Sequence, residues 1–225
     1  MYRWFIFPSI LGLGGALGLI FLGIWQMERL EWKTNILLEI EKKISAEPVE
    51  LVNGISKIED QYRSIKVEGE LKSNEVHVLT STKNKGPGFR IITPLELKSG
   101  KVILVDRGFV SEADKNTSRQ IGEATFIGNL LWPNETDGFT PAPDIAKNIW
   151  FARNLNLIAK HLNTEEILLV ARVSSLVDGP ITQPIGLNVP NDHLGYAITW
   201  FSLAIVWLGM TLYLVWRIKK QNGKF

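Results

Sequence analysis

Uncharged, mostly apolar residues run without interruption from Trp4 to Trp25 and again from Leu194 to Trp216, and every acidic residue lies between the two runs. Each run exceeds the roughly 20 residues that a helix needs to cross a hydrocarbon layer of about 30 Å, so both predict membrane-spanning helices. Between them the pattern changes to a period of two. Tyr62 to Gly69 alternates polar and apolar residues, Glu75 to Thr82 continues after a Lys-Ser-Asn turn, and the two predict a hairpin. Gly88 to Leu97 and Lys101 to Val110 flank Lys98-Ser99-Gly100 and predict a second hairpin. Within it, the apolar run Val102-Ile103-Leu104-Val105 predicts a strand buried on both faces. Thr125 to Trp132, Asn148 to Arg153 and Ile167 to Ser174 predict further strands. Helical spacing returns in Glu31 to Ile44, which extends the first span until Pro48, and in Asn154 to Leu162, with Leu155, Ile158, Ala159 and Leu162 on one side. The Pro-, Gly- and Thr-rich stretch from Trp132 to Asp144 predicts a long exposed loop. The fold class expected is membrane α+β: an N- and C-terminal hairpin of two transmembrane helices flanking a mostly antiparallel β extramembrane domain, a small barrel or sandwich. The expected boundaries are 1–27 for the N-terminal tail and first span, 28–192 for the β-rich domain, 193–217 for the second span and 218–225 for a basic tail.

Charge orients this hairpin. Arg3, Arg217, Lys219, Lys220 and Lys224 are the only Lys and Arg residues outside Glu28 to Asp192, so the short tails are basic and the middle is mildly acidic. Short basic tails stay on the cytoplasmic side, whereas a long loop translocates largely regardless of its charge. Both termini are expected in the cytoplasm of a multi-pass bacterial plasma (inner) membrane protein, with the middle domain periplasmic. A mitochondrial inner membrane is less favoured, because no Arg- and Ser-rich transit segment opens the chain. The first apolar run is too long for a signal peptide and lacks a small-x-small cleavage site, so it reads as an uncleaved anchor. An acidic extramembrane domain argues against nucleic acid as a partner, since phosphate binding needs a basic surface. The lipid bilayer is the first partner implied.

The chain has no cysteine, which removes disulfides, covalent haem attachment, thiol exchange, Fe–S clusters and zinc knuckles. The three methionines, Met1, Met27 and Met210, are too scattered for a Cu(I) thioether site. A hydrolase reading finds only three histidines, and neither a GxSxG elbow nor an HExxH pair supports it. Two motifs at the mouths of the spans carry the chemistry instead. In Gly23-Ile24-Trp25-Gln26-Met27-Glu28-Arg29-Leu30-Glu31-Trp32-Lys33, helical spacing puts Trp25, Arg29 and Trp32 on one face, with Lys33 one turn beyond Arg29. The bland reading is an aromatic belt with basic anchors at the lipid headgroups. In Asn191-Asp192-His193-Leu194-Gly195-Tyr196-Ala197-Ile198-Thr199-Trp200, the residues His193, Tyr196 and Trp200, with Trp207 beyond, make a polar-tipped aromatic stripe. Its bland reading is a packing stripe that ends in an interfacial histidine. Gly14 and Gly18, at GxxxG spacing, would let the helices approach closely, or serve a homodimer or partner subunit. His77, in a strand pattern, and His161, near a helix end, read as ordinary domain residues.

In order along the chain, Gly-x-Trp-Gln-x-x-Arg-Leu-x-Trp-Lys at 23 to 33, Val105-Asp106-Arg107-Gly108-Phe109-Val110, and Asn-x-His-x-x-Tyr-Ala-x-x-Trp at 191 to 200 resemble the SURF1 family of cytochrome c oxidase assembly factors. Asp106 and Phe109 stand where the family pattern has Asn and Trp, and Asp106-Arg107-Gly108 is read as a turn. The resemblance implies a membrane factor that binds haem a transiently and assists its insertion into the catalytic subunit of the oxidase without catalytic turnover, with haem a synthase as a further partner. His193 is then the axial ligand of the haem iron. A helix N-terminus disfavours imidazolium and so favours the neutral, ligating form. Tyr196 and Trp200 would wall the macrocycle, and Trp25, Arg29 and Lys33 would complete the site, the two cations meeting the propionates. The competing reading is a cofactor-free membrane scaffold that stabilises an oxidase subunit during assembly.

Overall fold

A computed structural model describes residues 3–51, 54–177, 179–186 and 190–222, with side chains from residue 6 to residue 221. Lys224 of the expected basic tail lies outside the described residues, as does the side chain of Arg3. The chain divides into two compact units, one of Met1–Glu39 with Leu187–Phe225 and one of Ile40–Gly186.

The first unit is built on two helices, α1 (Arg3–Ser45) and α3 (His193–Asn222). Both are long and apolar enough to cross a membrane. The 43 residues of α1 form one continuous helix, about 65 Å long at 1.5 Å per residue, so it exceeds any hydrocarbon layer and carries the helical pattern of Glu31 to Ile44 without a break. Buried and half-buried positions on α1 include Gly12, Ala16, Leu19, Gly23, Gln26, Leu30 and Lys33, and on α3 His193, Ala197, Trp200, Ala204, Leu208 and Thr211. Steps of three and four average the 3.5 residues of a coiled-coil seam. Small residues make the seam tight. A Cβ on Gly12 would strike Thr211, one on Gly15 would strike Trp207, and one on Gly23 would strike Phe201. The antiparallel run is held by the Trp207 indole, whose Nε1 donates to the Gly12 carbonyl at 3.0 Å. Gly14 and Gly18, expected at this contact, are not part of it: a Cβ on either meets nothing within 4 Å. Gly14 lies two residues, about 200° of helical rotation, from Gly12, and therefore points away from α3.

Among its described residues the second unit holds seven strands, β1 (Val49–Glu50), β2 (Ser64–Leu71), β3 (Val76–Thr82), β4 (Gly86–Leu97), β5 (Val102–Ser111), β6 (Gly122–Leu131) and β7 (Leu168–Ser174), with the short helix α2 (Leu155–Leu162) before β7. Their order is β1-β2-β6-β7-β5-β4-β3, and an extra pairing of β2 with β4 closes five of them into a barrel. Pairings are antiparallel except β1 with β2 and β5 with β7. Closure brings backbones close, and Gly69 permits it, since a Cβ there would collide with the Glu96 carbonyl. Inside the barrel pack Ile65, Val67, Leu95, Ile103, Val105, Phe126, Leu130 and Leu169. The intervening residues Leu104, Leu168 and Val170 face outward, where Leu155, Ile158, Ala159 and Leu162 of α2 cover them with Val76, Val78 and Trp150. Val102 to Val105 is thus buried on both faces, as its continuous apolar run predicts. Helix α2 starts at Asn154, whose side chain accepts the Leu157 N–H at 3.2 Å, and stops at Asn163 in a left-handed conformation with φ 55°.

Three local expectations are corrected. Strands β2 and β3 do not form a hairpin: β2 pairs with β1, β4 and β6, and β3 pairs with β4. No residue from 71 to 76 adopts the positive φ of a tight hairpin turn, whereas Gly100, with φ 82°, turns β4 into β5 as predicted. Residues 148 to 153 make isolated bridges, Val78 with Trp150 and Asp144 with Ile149, rather than a strand. Asn148 has φ 47°, which breaks the extended run. Asp106-Arg107-Gly108 is no turn but the middle of β5. There Ile91 pairs with Gly108 and Ile92 with Asp106, leaving Arg107 as the extra residue of a β-bulge.

Gly108 has φ 117°, and a Cβ on it would collide with the Ile181 carbonyl that accepts the Phe109 N–H at 2.8 Å. Gly108→Ala should therefore destabilise the β unit by about 1–3 kcal/mol and lower the thermal unfolding midpoint of the full chain in detergent. An unchanged midpoint would show that the bulge relaxes without strain.

Candidate functional site

The antiparallel seam brings the first and third sequence motifs together. Gln26 lies one helical turn beyond Gly23 on the packed face of α1, and His193 opens α3 after the Asn191-Asp192 approach, with the Tyr196 N–H donating to the Asp192 carbonyl at 3.2 Å. His193 Nδ1 and Gln26 Oε1 are 2.7 Å apart. An amide oxygen only accepts, so Nδ1 is the protonated nitrogen in this contact, and in the neutral ring the lone pair is then on Nε2. Among the described residues Nε2 has no partner. The approach to α3 is fixed by two further contacts from α1: Lys33 Nζ donates to the Pro190 carbonyl, and Asn191 Nδ2 donates to Thr34 Oγ1 at 3.4 Å.

The other expected site residues divide between two faces. Trp200 is half-buried on the seam with His193, one Ala197 between them, whereas Tyr196 is 58 % exposed and outside it. Trp25 and Trp32 are exposed on α1, and the Arg29 guanidinium carbon stands 4.4 Å above the Trp32 ring. That stacking leaves the guanidinium open on its other side. Lys33 does not join Arg29; it sits on the seam line with Gln26 and Leu30. An apolar groove of about 500 Å³ lined by Phe7, Leu11, Trp207 and Met210 lies at the far end of the hairpin, roughly 20 Å along α3 from His193. Trp207, expected in the aromatic stripe, belongs to that end. Gln26 is missing from the predicted site set. Its signal is a polar amide between Gly23 and Leu30 on the packed helix line, placed where the partner helix begins.

His77 Nε2 is 2.8 Å from Glu75 Oε1, and the His161 ring packs 5.5 Å from that of Trp150. No group of three His, Cys, Asp or Glu residues suited to a metal ion occurs among the described residues.

The β unit has its own buried charges around the bulge in β5. Asp106 is 0 % exposed. One of its carboxylate oxygens accepts from Arg90 Nε at 2.6 Å and Arg153 Nη1 at 3.3 Å, and the other accepts the Gly108 N–H at 3.1 Å. Arg153 also pairs with Glu135, and Arg90 reaches the Gln183 side chain and carbonyl, both at 3.1 Å. Burial pushes the Glu135 carboxyl up, but the Arg153 hydrogen bonds outweigh it and hold the group below the usual carboxylate range. Burial likewise opposes the charge on Arg153, and the Glu135 and Asp106 carboxylates more than restore it. The cluster ties the 135 loop and the 183 segment to the barrel wall.

Comparison with known proteins covers both units. The SURF1 family model matches residues 14–205, from the first helix through the β unit and into α3. Surfeit locus protein 1 of Xenopus tropicalis is 30% identical over 206 residues, which cover 81% of this chain and 67% of the relative. A SURF1-like protein of Rickettsia prowazekii is 31% identical over 215 residues, covering 87% and 84% respectively. Surfeit locus protein 1 of Homo sapiens is 30% identical over 207 residues, covering 81% and 69%. With the family match spanning the two helices, the barrel and all three sequence motifs, this chain belongs to the SURF1 family.

Proposed function

We propose that the chain is an assembly factor of cytochrome c oxidase that binds haem a at the membrane boundary and assists its insertion into the catalytic subunit. The observation that carries this reading is the His193–Gln26 hydrogen bond, which leaves Nε2 of a half-buried histidine without a partner among the described residues. Haem bound there brings an iron that accepts an imidazole nitrogen and propionates that seek cations. The donor set fits: Gln26 orients the ring, Trp200 offers one aromatic wall on the seam, and Arg29 presents an exposed guanidinium to a carboxylate. Lys33 is engaged with the Pro190 carbonyl and serves to fix the approach to α3. Tyr196 and Trp25, both exposed, form the open side through which a flat ligand comes and goes. An open side suits transient holding better than permanent storage. The work is cargo transfer without turnover. Haem a synthase is the class of protein from which the cargo comes, and the oxidase catalytic subunit is the one that receives it.

His193→Ala should abolish the Soret band of protein purified with coexpressed haem a synthesis, because no Cys or Met stands in the motif to replace the imidazole. Gln26→Leu should keep the helix packing but weaken haem retention by about 10–100-fold, as for loss of a ligand-orienting partner. A wild-type spectrum in well-inserted His193→Ala protein would sink the ligand assignment, and colourless wild-type protein that still copurifies with the oxidase subunit would favour a scaffold.

Deleting the gene should lower the haem content and activity of an aa₃-type oxidase while c-type cytochromes stay intact, because the chain has no thiol with which to serve their maturation. Visible spectra of membranes distinguish this from an equal loss of both pigments, which would point to general haem supply.

The basic tails set the orientation proposed, with both termini cytoplasmic and the β unit across a bacterial plasma membrane. A reporter active only in the periplasm should work when inserted near Phe139, which is 94 % exposed in the 132–144 loop, and stay silent at either terminus. The opposite pattern reverses the topology.

A further inference from the structure

Arg107 is only 3 % exposed, yet among the described residues its guanidinium has one hydrogen-bond acceptor: Nη2 donates to the Gln120 carbonyl at 3.1 Å, and Nη1 is buried without a partner. Glu75, the carboxylate whose charge reaches Arg107, is taken by Arg119 and by His77. Burial pushes the guanidinium below its usual pKa, but an arginine stays protonated in proteins. A buried cation without a counter-charge is unfavourable, so an anion from outside the chain has a strong reason to enter.

A space for it lies on the Gly179 side of Arg107, where Nη2 stands 3.7 Å from the position a Cβ on that glycine would take. A cavity of about 370 Å³ is lined by Arg107, Arg172, Ser174, Leu176, Val177 and Pro180, with no acidic side chain among the described lining residues. Strands β5 and β7 run parallel with Asp106 opposite Val170, which sets Arg107 and Arg172 on neighbouring strands. Arg172 makes no ion pair among the described residues, and its one contact is a long 3.4 Å bond to the Ile44 carbonyl. Around the opening Val173, Val177 and Ile181 are exposed, so the rim is apolar where the floor is cationic.

We propose that this cavity is a binding site for a small carboxylate carried on an apolar body, with Arg107 and Arg172 holding the carboxylate and the Val173, Val177 and Ile181 rim holding the apolar part. The planar guanidinium fork matches a carboxylate in a bidentate pair, and an apolar rim disfavours the more strongly hydrated phosphate. The volume suits a small-molecule acid rather than a folded partner.

The test uses the full chain in lipid nanodiscs and 4-fluorobenzoate as the probe, observed by ¹⁹F NMR, with 4-fluorobenzamide as its neutral counterpart. Saturable millimolar or tighter binding of the benzoate, absent for the benzamide, is the expected result. Arg172→Gln, at a half-buried position that tolerates the change, should weaken it about tenfold or more, and Arg107→Gln at least as much where circular dichroism shows it folded. Equal binding of the benzamide, no saturable binding to the wild type, or equal displacement by inorganic phosphate each overturns the proposal. So does binding that appears only in Asp178→Asn, for then the chain's own carboxylate, which lies outside the described residues, already serves the arginines.

Discussion

The close antiparallel approach of α1 and α3 is the constraint on which the membrane-boundary site rests. Gly12, Gly15 and Gly23 supply no side chain where Thr211, Trp207 and Phe201 must fit, and Ala16, Ala197 and Ala204 are buried between the helices. Hydrocarbon gives helices no hydrophobic reason to associate, so the association depends on van der Waals fit and hydrogen bonds. The Trp207 indole bonded to the Gly12 carbonyl provides one such bond at one end, and the Gln26–His193 pair provides another at the other end. Register follows from the same fit. A slip along the seam would carry Thr211, Trp207 and Phe201 off the glycines they pack on. The two motifs, separated by the whole β unit in sequence, meet because small residues fix that register.

How much of this was legible in the sequence depends on whether a feature is periodic or relational. Apolar runs, the alternation in β2, and the four buried residues of α2 are periodic, and each is visible from one segment alone. The helix extension beyond the first span is equally local. Strand partners are relational. β2 and β3 both alternate, but β2 turns Ile65 and Val67 into the barrel while β3 turns Val76 and Val78 under α2, so the strands serve different cores and do not pair. The choice between Gly14 and Gly12 at the helix contact is also relational, because spacing alone does not say which face of α1 meets α3. Gln26 shows locally as a polar residue on the packed line of α1, but its pairing with His193 is relational. The family resemblance pointed to the motifs and not to this pair.

The charge cluster around Asp106 raises the question of what it achieves, since taking the Asp106 carboxylate and most of two arginines out of water costs much of what their attraction returns. Geometry gives the answer. Asp106 accepts from Arg90 of β4, from Arg153 beyond the long loop, and from its own strand at Gly108. Those donors come from separate stretches of chain, and an apolar residue at 106 could pack against them but could not specify their positions. A large energetic loss on removing one partner, combined with a small net gain from the whole, is the behaviour of a group that selects one arrangement over its competitors.

The bulge itself explains why neighbouring charges fare so differently. In a regular strand, residues 106 and 107 would point to opposite faces and each would face one cross-strand partner. With Arg107 as the extra residue, Ile92 opposes Asp106 and Ile91 opposes Gly108, so the ladder skips the arginine and re-aims its side chain. Gly108 then takes the φ of 117° that returns the strand to register, and the 181 segment lies against it. Asp106 is thereby delivered to a satisfied cluster, whereas Arg107 is delivered to the side where Gln120 offers a single carbonyl and Arg172 adds a second cation. A one-residue irregularity in a barrel strand is costly to keep without a use. Here it separates a charge that organises the fold from a charge left available to a ligand.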